Sequence, residues 1–495
     1  IDRWLDPTRR YRMTVQRRPI RDYQSAAEFL FGRINYERTR RIPYRSRNFR
    51  LDRMRELAAR LGHPERAFPA VHIAGTKGKG STAAMAASVL GAAGYRTGLY
   101  TSPHLHRLEE RFVVDGQPCD EATLVSLLSR LQGPVLDLDA EALRAGDQLG
   151  PTYFEITTAA ALLHFRDRQV DAAVLEVGLG GRLDSTNICH PVLSIITSIS
   201  LDHTRQLGQT LAAIAREKAG IIKPGVPVVT GVTDPEPFGV IAQIAGRQHA
   251  ELLALGRDFT FDYWSDLPAA DPNDARVPGL CGGLDYREEV DGQRMEFSRV
   301  PLGLLGRHQA ANASVAIAAC RRLSRQGWRL DETTIRAGIA RAHCPARIEI
   351  LSQAPTIILD TAHNPASVAA LMELILERFP GVPRVLVFAT STDKDAPTML
   401  QQLLPHFTHV VFTRYLSNPR ATGPGQLLAQ AQSIQQSLGL TQLTLHLRPG
   451  PEAAWRLVES LATPAHLVCI TGSFFLAAEA RQYAESFGRV PLGCT

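Results

Sequence analysis

The sequence predicts an α/β protein with two domains built on mainly parallel sheets, and three observations predict it. Short apolar runs such as Ala70-Val71-His72-Ile73-Ala74 recur along the chain, and several deliver polar residues at their carboxyl ends, where open parallel sheets bind ligands. The first of them opens into Gly75-Thr76-Lys77-Gly78-Lys79-Gly80-Ser81-Thr82, a glycine-rich loop that leads into a helix pattern of small residues. The strand-and-helix pattern restarts near Cys344-Pro345-Ala346-Arg347, and 495 residues are too many for one ordinary core.

Residues 1–22 read as a basic extension in which Arg9, Arg10, Arg12, Arg17, Arg18 and Arg21 crowd together. A solvated tail explains them better than a nucleic-acid arm, because no aromatic stacking pattern or basic helix accompanies them. Residues 23–344 read as an ATP-binding domain. Helices are expected over 23–33 and 51–61, the second with Leu51, Met54, Leu57 and Leu61 at helical spacing. Strands follow at 70–74, 95–101, 170–177 and 192–201, and helices at 81–93, 210–222 and 309–323. A segment at about 259–300, rich in Pro, Asp and Gly turns, is expected to be β-rich. Residues 345–495 read as a smaller, Rossmann-like α/β domain with strands at 356–359, 385–388, 409–412 and 466–470.

A net charge of +6, 44% hydrophobic and 21% charged residues describe an ordinary globular protein. Seven scattered cysteines with no Cys-x-x-Cys pair argue against a disulfide framework and a zinc ribbon, and fit a cytoplasmic setting. No apolar run is long enough to cross a bilayer, so no membrane role is expected.

The chemistry gathers at the strand ends. In the loop 75–81 the glycines turn backbone N–H groups inward, the helix start adds its positive end, and the Lys79 ammonium reaches phosphates; this is how a nucleotide is held. Glu176 closes a buried strand ahead of Gly180-Gly181-Arg182-Leu183-Asp184-Ser185-Thr186-Asn187, a stretch equally readable as a plain turn. Ser102 and Glu176 are oxygen donors of the kind Mg²⁺ prefers, whereas His203, read by itself, is more often a core histidine. Lys218 shares a helix face with Leu211 and Ile214, which puts an ammonium on the buried side. Pairing with Glu217 is the simpler account of it, and reaction of a neutral amine with carbon dioxide to a carbamate the sharper one.

Together these motifs resemble the folylpolyglutamate synthase and dihydrofolate synthase branch of the Mur ligase superfamily. The likeness runs from about Tyr23 and rests on the loop 75–81, Tyr100-Thr101-Ser102-Pro103-His104-Leu105, residues 175–184, Leu201-Asp202-His203-Thr204, Arg216-Glu217-Lys218-Ala219-Gly220 and Asp360-Thr361-Ala362-His363-Asn364-Pro365. It implies a Mur-ligase-type central ATPase domain and an ATP-dependent amide ligase that joins L-glutamate to dihydropteroate or to reduced folates through an acyl phosphate. It implies Mg²⁺ held by Ser102, Glu176 and His203, a carbamylated Lys218, and a monovalent cation such as K⁺ as an optional addition. Lys79, Lys218, His203 and Glu176 become the catalytic set. Gly75, Thr76, Lys77, Gly78, Lys79, Gly80 and Ser81 would hold ATP, joined by Gln309, Asn312, Arg347, Asp360 and His363. Asp184, Arg182, Ser102 and Pro103 would meet the substrate.

Three departures stand out: Ala346 where Gly often precedes the arginine, Thr361 where Gly often follows the aspartate, and Lys77 where Asn is frequent. The last leans toward a polyglutamylase acting only on reduced folates, and Asp184 leans toward the dual enzyme. A P-loop ATPase acting on nucleic acid is the reading from another class, and it leaves Ser102, Glu176, His203 and the Asp360-His363 pair unexplained. A monomer without nucleic-acid or membrane partners is expected.

Overall fold

The structure, a computed structural model, describes residues 18–35, 51–146, 150–265, 282–290 and 292–486. Arg9, Arg10, Arg12 and Arg17 of the basic lead lie outside the described residues; Arg18 and Arg21 are exposed.

The first sheet has eight strands: β1 (Ala70–Ala74), β2 (Thr97–Tyr100), β3 (Val113–Val114), β4 (Gln117–Pro118), β5 (Ala172–Glu176), β6 (Leu193–Ile196), β7 (Val228–Thr230) and β8 (Leu252–Ala254). Their order is β4-β3-β2-β5-β1-β6-β7-β8, parallel from β2 to β8 with an antiparallel hairpin at the edge. β1 lies between β5 and β6, so the loops leaving these three strands open side by side, as at the ligand crevice of an open parallel sheet. β6 is shorter than the strand expected over 192–201: it stops at Ile196, and Thr197 to Ser200 leave the sheet to bind the loop after β1.

Alternation sends Val71 and Ile73 of β1 into one core and Ala70 into the other. Helix Lys79–Ala92 contributes to the first core with helices Arg307–Arg325 and Glu332–Arg341. Its small residues serve close helix contact: a Cβ on Gly338 would stand 2.3 Å from the Val89 Cα, and the Ser88 hydroxyl donates to the Gly338 carbonyl at 2.7 Å. Helices Glu121–Arg144 and Tyr153–Asp167 line the other face of the sheet. The segment expected to be β-rich holds β9 (Phe259–Trp264), β10 (Gly282–Val290) and β11 (Gln293–Leu302), an antiparallel sheet; its residues 266–281 and 291 lie outside the described residues.

The second sheet comprises β12 (Glu349–Gln353), β13 (Thr356–Leu359), β14 (Arg384–Phe388), β15 (His409–Phe412), β16 (Thr444–Leu447) and β17 (Leu467–Thr471), ordered β12-β13-β17-β14-β15-β16. Only β12 runs antiparallel, and helices cover both faces, as parallel sheets require.

Candidate active site

The loop after β1 is held from three sides. A Cβ on Gly75 would stand 1.8 Å from the Thr197 Oγ1, so only glycine lets the loop turn there. Gly78 caps helix Lys79–Ala92 at φ 80, and a Cβ on it would meet the Asn312 Oδ1 at 2.1 Å. Asn312 is steadied by Gln309, whose Oε1 accepts from its Nδ2 at 2.9 Å. The Thr76 N–H donates to the Ser198 carbonyl at 2.7 Å and the Lys77 N–H to the Ser198 Oγ at 3.1 Å. The Lys77 carbonyl accepts from the Thr197 and Ser198 hydroxyls. The amides of Thr76 and Lys77 are therefore committed within the protein, while the helix start from Lys79 to Ser81 keeps the unpaired N–H groups of any first turn.

Glu176, the last residue of β5, is 5% exposed. Its Oε2 accepts from the Ser102 N–H at 3.1 Å, and a Cβ on Gly80 would lie 3.7 Å from each of its oxygens. Gly80, the glycine that follows the loop lysine, is thus where the phosphate loop meets this carboxylate. Burial pushes the Glu176 carboxyl up, and the Lys79 ammonium opposes the shift.

Lys218, on helix Leu211–Ala219, is equally buried, and its Nζ donates to the Gly75 carbonyl at 2.7 Å. Glu217 is not its partner, because that carboxylate pairs with Arg182 at 2.8 Å. Burial, helped by Lys79, pulls the Lys218 amine down to about 7, where a neutral, nucleophilic amine is well populated. Pairing with Glu217 therefore gives way to a hydrogen bond with the loop.

A cavity of about 840 Å³ lies between the two sheets' loops. Lys77, Phe154, Asp184 and His203 line it from the first side, and Asn364, Lys394 and Arg420 from the second. His203 is exposed on this wall, which corrects its reading as a core histidine. Asp184 faces the cavity while both its oxygens hold the loop: one accepts from the Gly178 and Leu179 amides, the other from the Thr186 amide and hydroxyl. Since that hydroxyl donates to Asp184, it accepts from His72 Nε2 at 2.8 Å, which ties the loop back to β1. Arg182, Ser102 and Pro103 are not on the wall of this cavity.

On the second side, Asp360 accepts from the Ile348 and Ala362 amides, and Arg347 donates to the Thr361 hydroxyl. Thr361 thus uses its departure from glycine to hold the arginine. Ala346 takes φ 56, the left-handed region that favours the glycine frequent there. The charge of Arg347 reaches Glu176, and those of Lys394 and Asp202 reach His363.

Sequence reasoning missed the ion pair that spans the cavity, Lys394 Nζ to Asp202 Oδ1 at 3.1 Å, and the pair Arg420–Asp393 at 2.7 Å; the partners lie 192 and 27 positions apart, too far for a local signal. It also missed Glu155, which binds Arg53 and caps helix Tyr153–Asp167, although Thr152-x-x-Glu155 is a capping-box signature.

The fit of Mg²⁺ rests on the donors. Ser102 and Glu176 offer a hydroxyl and a buried carboxylate beside the loop, a set that suits a hard cation sharing its other positions with water and phosphate. Among the described residues no three His, Cys, Asp or Glu side chains cluster closely enough to enclose a metal by themselves. Nor is any described helix long and apolar enough to cross a membrane.

Models of the Mur ligase middle domain and of the Mur ligase glutamate ligase domain match residues 124–320 and 346–474. A Bacillus subtilis protein named dihydrofolate synthase/folylpolyglutamate synthase is 33% identical over 462 residues, covering 93% of this chain and 98% of its own. Among solved structures, Mycobacterium tuberculosis folylpolyglutamate synthase complexed with ADP superposes with a TM-score of 0.80 at 31% identity, covering 95% of this chain and 99% of its own. Escherichia coli FolC in complex with DHPP and ADP gives 0.76 at 30% identity, covering 94% and 99%.

Proposed function

This chain belongs to the folylpolyglutamate synthase and dihydrofolate synthase family of the Mur ligases, ATP-dependent enzymes, and on that premise we propose that it adds L-glutamate both to dihydropteroate and to the glutamyl tails of reduced folates. One observation carries the proposal: an open phosphate loop, a buried carboxylate and a buried amine meet at one strand-end crevice, beside a cavity lined from both sheets.

The acceptor's carboxylate attacks the γ-phosphate of ATP, forming an acyl phosphate and releasing ADP. The amine of glutamate then displaces phosphate from the activated carbonyl. Lys79 and the amides at the helix start hold the phosphates and neutralise the charge that grows during transfer. Glu176, Ser102 and His203 would hold Mg²⁺, which when bound supplies charge neutralisation at the phosphates. Lys218, its amine lowered to about 7, is set to carry a carbamate whose negative charge would lie next to the Gly75 carbonyl and the loop. Gln309 and Asn312 shape the nucleotide side, and Arg347, Asp360 and His363 approach from the second sheet. Asp184 lies where the pterin enters. Closure of the two halves excludes water from the acyl phosphate. A cytoplasmic monomer, with K⁺ as an optional cation, completes the proposal.

The narrower reading, a polyglutamylase alone, is favoured by Lys77. One experiment separates the two: ADP release with ATP, Mg²⁺ and L-glutamate, comparing dihydropteroate with tetrahydrofolate and weighing the products by mass. Turnover with both acceptors supports the dual enzyme, turnover with tetrahydrofolate alone the narrower one, and turnover with neither overturns both. Lys79→Ala should abolish acceptor-dependent ADP release.

A further inference from the structure

Lys77 stands in the phosphate loop with its backbone already engaged inside the protein. Its N–H is spent on the Ser198 hydroxyl and its carbonyl on the Thr197 and Ser198 hydroxyls. Its half-buried side chain lines the cavity between the sheets instead. There the ammonium has no hydrogen-bond acceptor among the described residues, unlike that of Lys218 or Lys394.

Its surroundings explain what is missing. Asp202 is the anion nearby, and it already pairs with Lys394 across the cavity at 3.1 Å. Arg53 pairs with Glu155, Arg420 with Asp393 and Asp184 with amides, while the exposed Arg205 adds a further positive charge to the wall. Lys77 feels attraction from Asp202 and repulsion from Lys394, so two ammonium groups share one carboxylate and a local positive charge remains. Burial pulls the Lys77 amine down to about 8, the mark of an ammonium with too little compensation. An entering carboxylate would supply it, with charge-assisted hydrogen bonds to both lysines.

We infer that Lys77, with Lys394 beside it, binds a carboxylate of a substrate in the interdomain cavity and takes no part in binding ATP through its side chain. The inference rests on the ligase reading for the identity of the ligand. Two sources offer this chemistry: the incoming amino acid, and the free α-carboxylate of a glutamyl tail, which tetrahydrofolate carries and dihydropteroate lacks.

The test compares wild type, Lys77→Asn and Lys77→Arg under saturating Mg²⁺. Asn leaves in place the backbone hydrogen bonds that fix residue 77. The expected result is a KM about tenfold higher in Lys77→Asn for one carboxylate substrate, with the KM for ATP and kcat within twofold, and substantial recovery in Lys77→Arg. A rise confined to L-glutamate, with either acceptor, assigns the site to the incoming amino acid. A rise confined to tetrahydrofolate, with dihydropteroate unchanged, assigns it to the tail. A rise in the KM for ATP alone, or no change, overturns the inference. If wild type were inert with every acceptor, the ligase reading would fall first. Calorimetry with the dipeptide γ-glutamylglutamate would then decide separately: binding by wild type and not by Lys77→Asn sustains the carboxylate site, and equal or absent binding removes it.

Discussion

At the strand ends of the first sheet, Lys218 and Glu176 are buried beside the phosphate loop, each away from its ordinary titration range because burial is only partly offset. At those of the second sheet, burial raises Asp360 as well, opposed by Arg347 and by backbone amides, but Asp393 is paired with Arg420, and Asp395 caps the helix that follows it. The first set retains charge that a reacting phosphate and carboxylate can use. The second is largely self-contained, and Lys394–Asp202 pairs it with the first across the cavity. The contrast predicts a division of labour, in which chemistry rests with the first sheet and orientation with the second.

The largest test of that division is Lys218→Ala. Loss of a buried amine that organises the loop should lower kcat by about 10²–10³-fold while the fold persists, and wild-type rates would break the comparison at its centre. The same residue gives the pH dependence its sign. Lysine titrates at 10.5 in the absence of the fold and at about 7 within it, so between those values the unfolded chain holds the extra proton. Stability therefore rises as pH increases from about 7 toward 10.5, and below 7 the buried charge works against folding. In bicarbonate-free buffer, Lys218→Met should flatten this slope in denaturant melts; a slope unchanged by the substitution would show the amine to be unstrained.

A smaller effect is expected from the bridge between the halves. Lys394→Ala leaves Asp202 without its ion-pair partner and should lower kcat/KM about fivefold to tenfold while acceptor-independent ADP affinity holds. A loss as deep as that of Lys218→Ala would move chemistry onto the second sheet. Least of all, Thr361→Val removes the hydroxyl that holds Arg347 and should raise the KM for ATP about twofold to fivefold. No change there would mean that Arg347 is positioned by its other neighbours.

Much of the first sheet's site was legible because its signals are local. Glycines at 75, 78 and 80, a strand before them and small residues after them state the loop's geometry in a dozen consecutive positions. The run 192–201 misled, since Ile196, Ile199 and Leu201 read as a continuing strand, whereas the hydroxyls of Thr197 and Ser198 and the backbone of Ser200 are drawn off by the loop beside them. Helices Glu121–Arg144 and Tyr153–Asp167 went unassigned; the second is buried on nearly every side and so lacks the polar face that betrays a surface helix. Lys394 and Arg420 were invisible for another reason. Their roles depend on which strand ends share a cavity, and that is set by topology.

The hydrogen bonds from Thr197, Ser198 and Ser200 to residues 76 and 77 have one more consequence. A loop fastened in this way has surrendered its conformational freedom when the chain folds, before any nucleotide arrives. Binding then need not draw on the nucleotide's own interaction energy to order the backbone, and what the phosphates meet is a rigid set of dipoles already aimed. Nucleotide association with such a surface should resemble a key entering a finished lock, fast and with little rearrangement, leaving the slow movements of the cycle to the approach of the two halves.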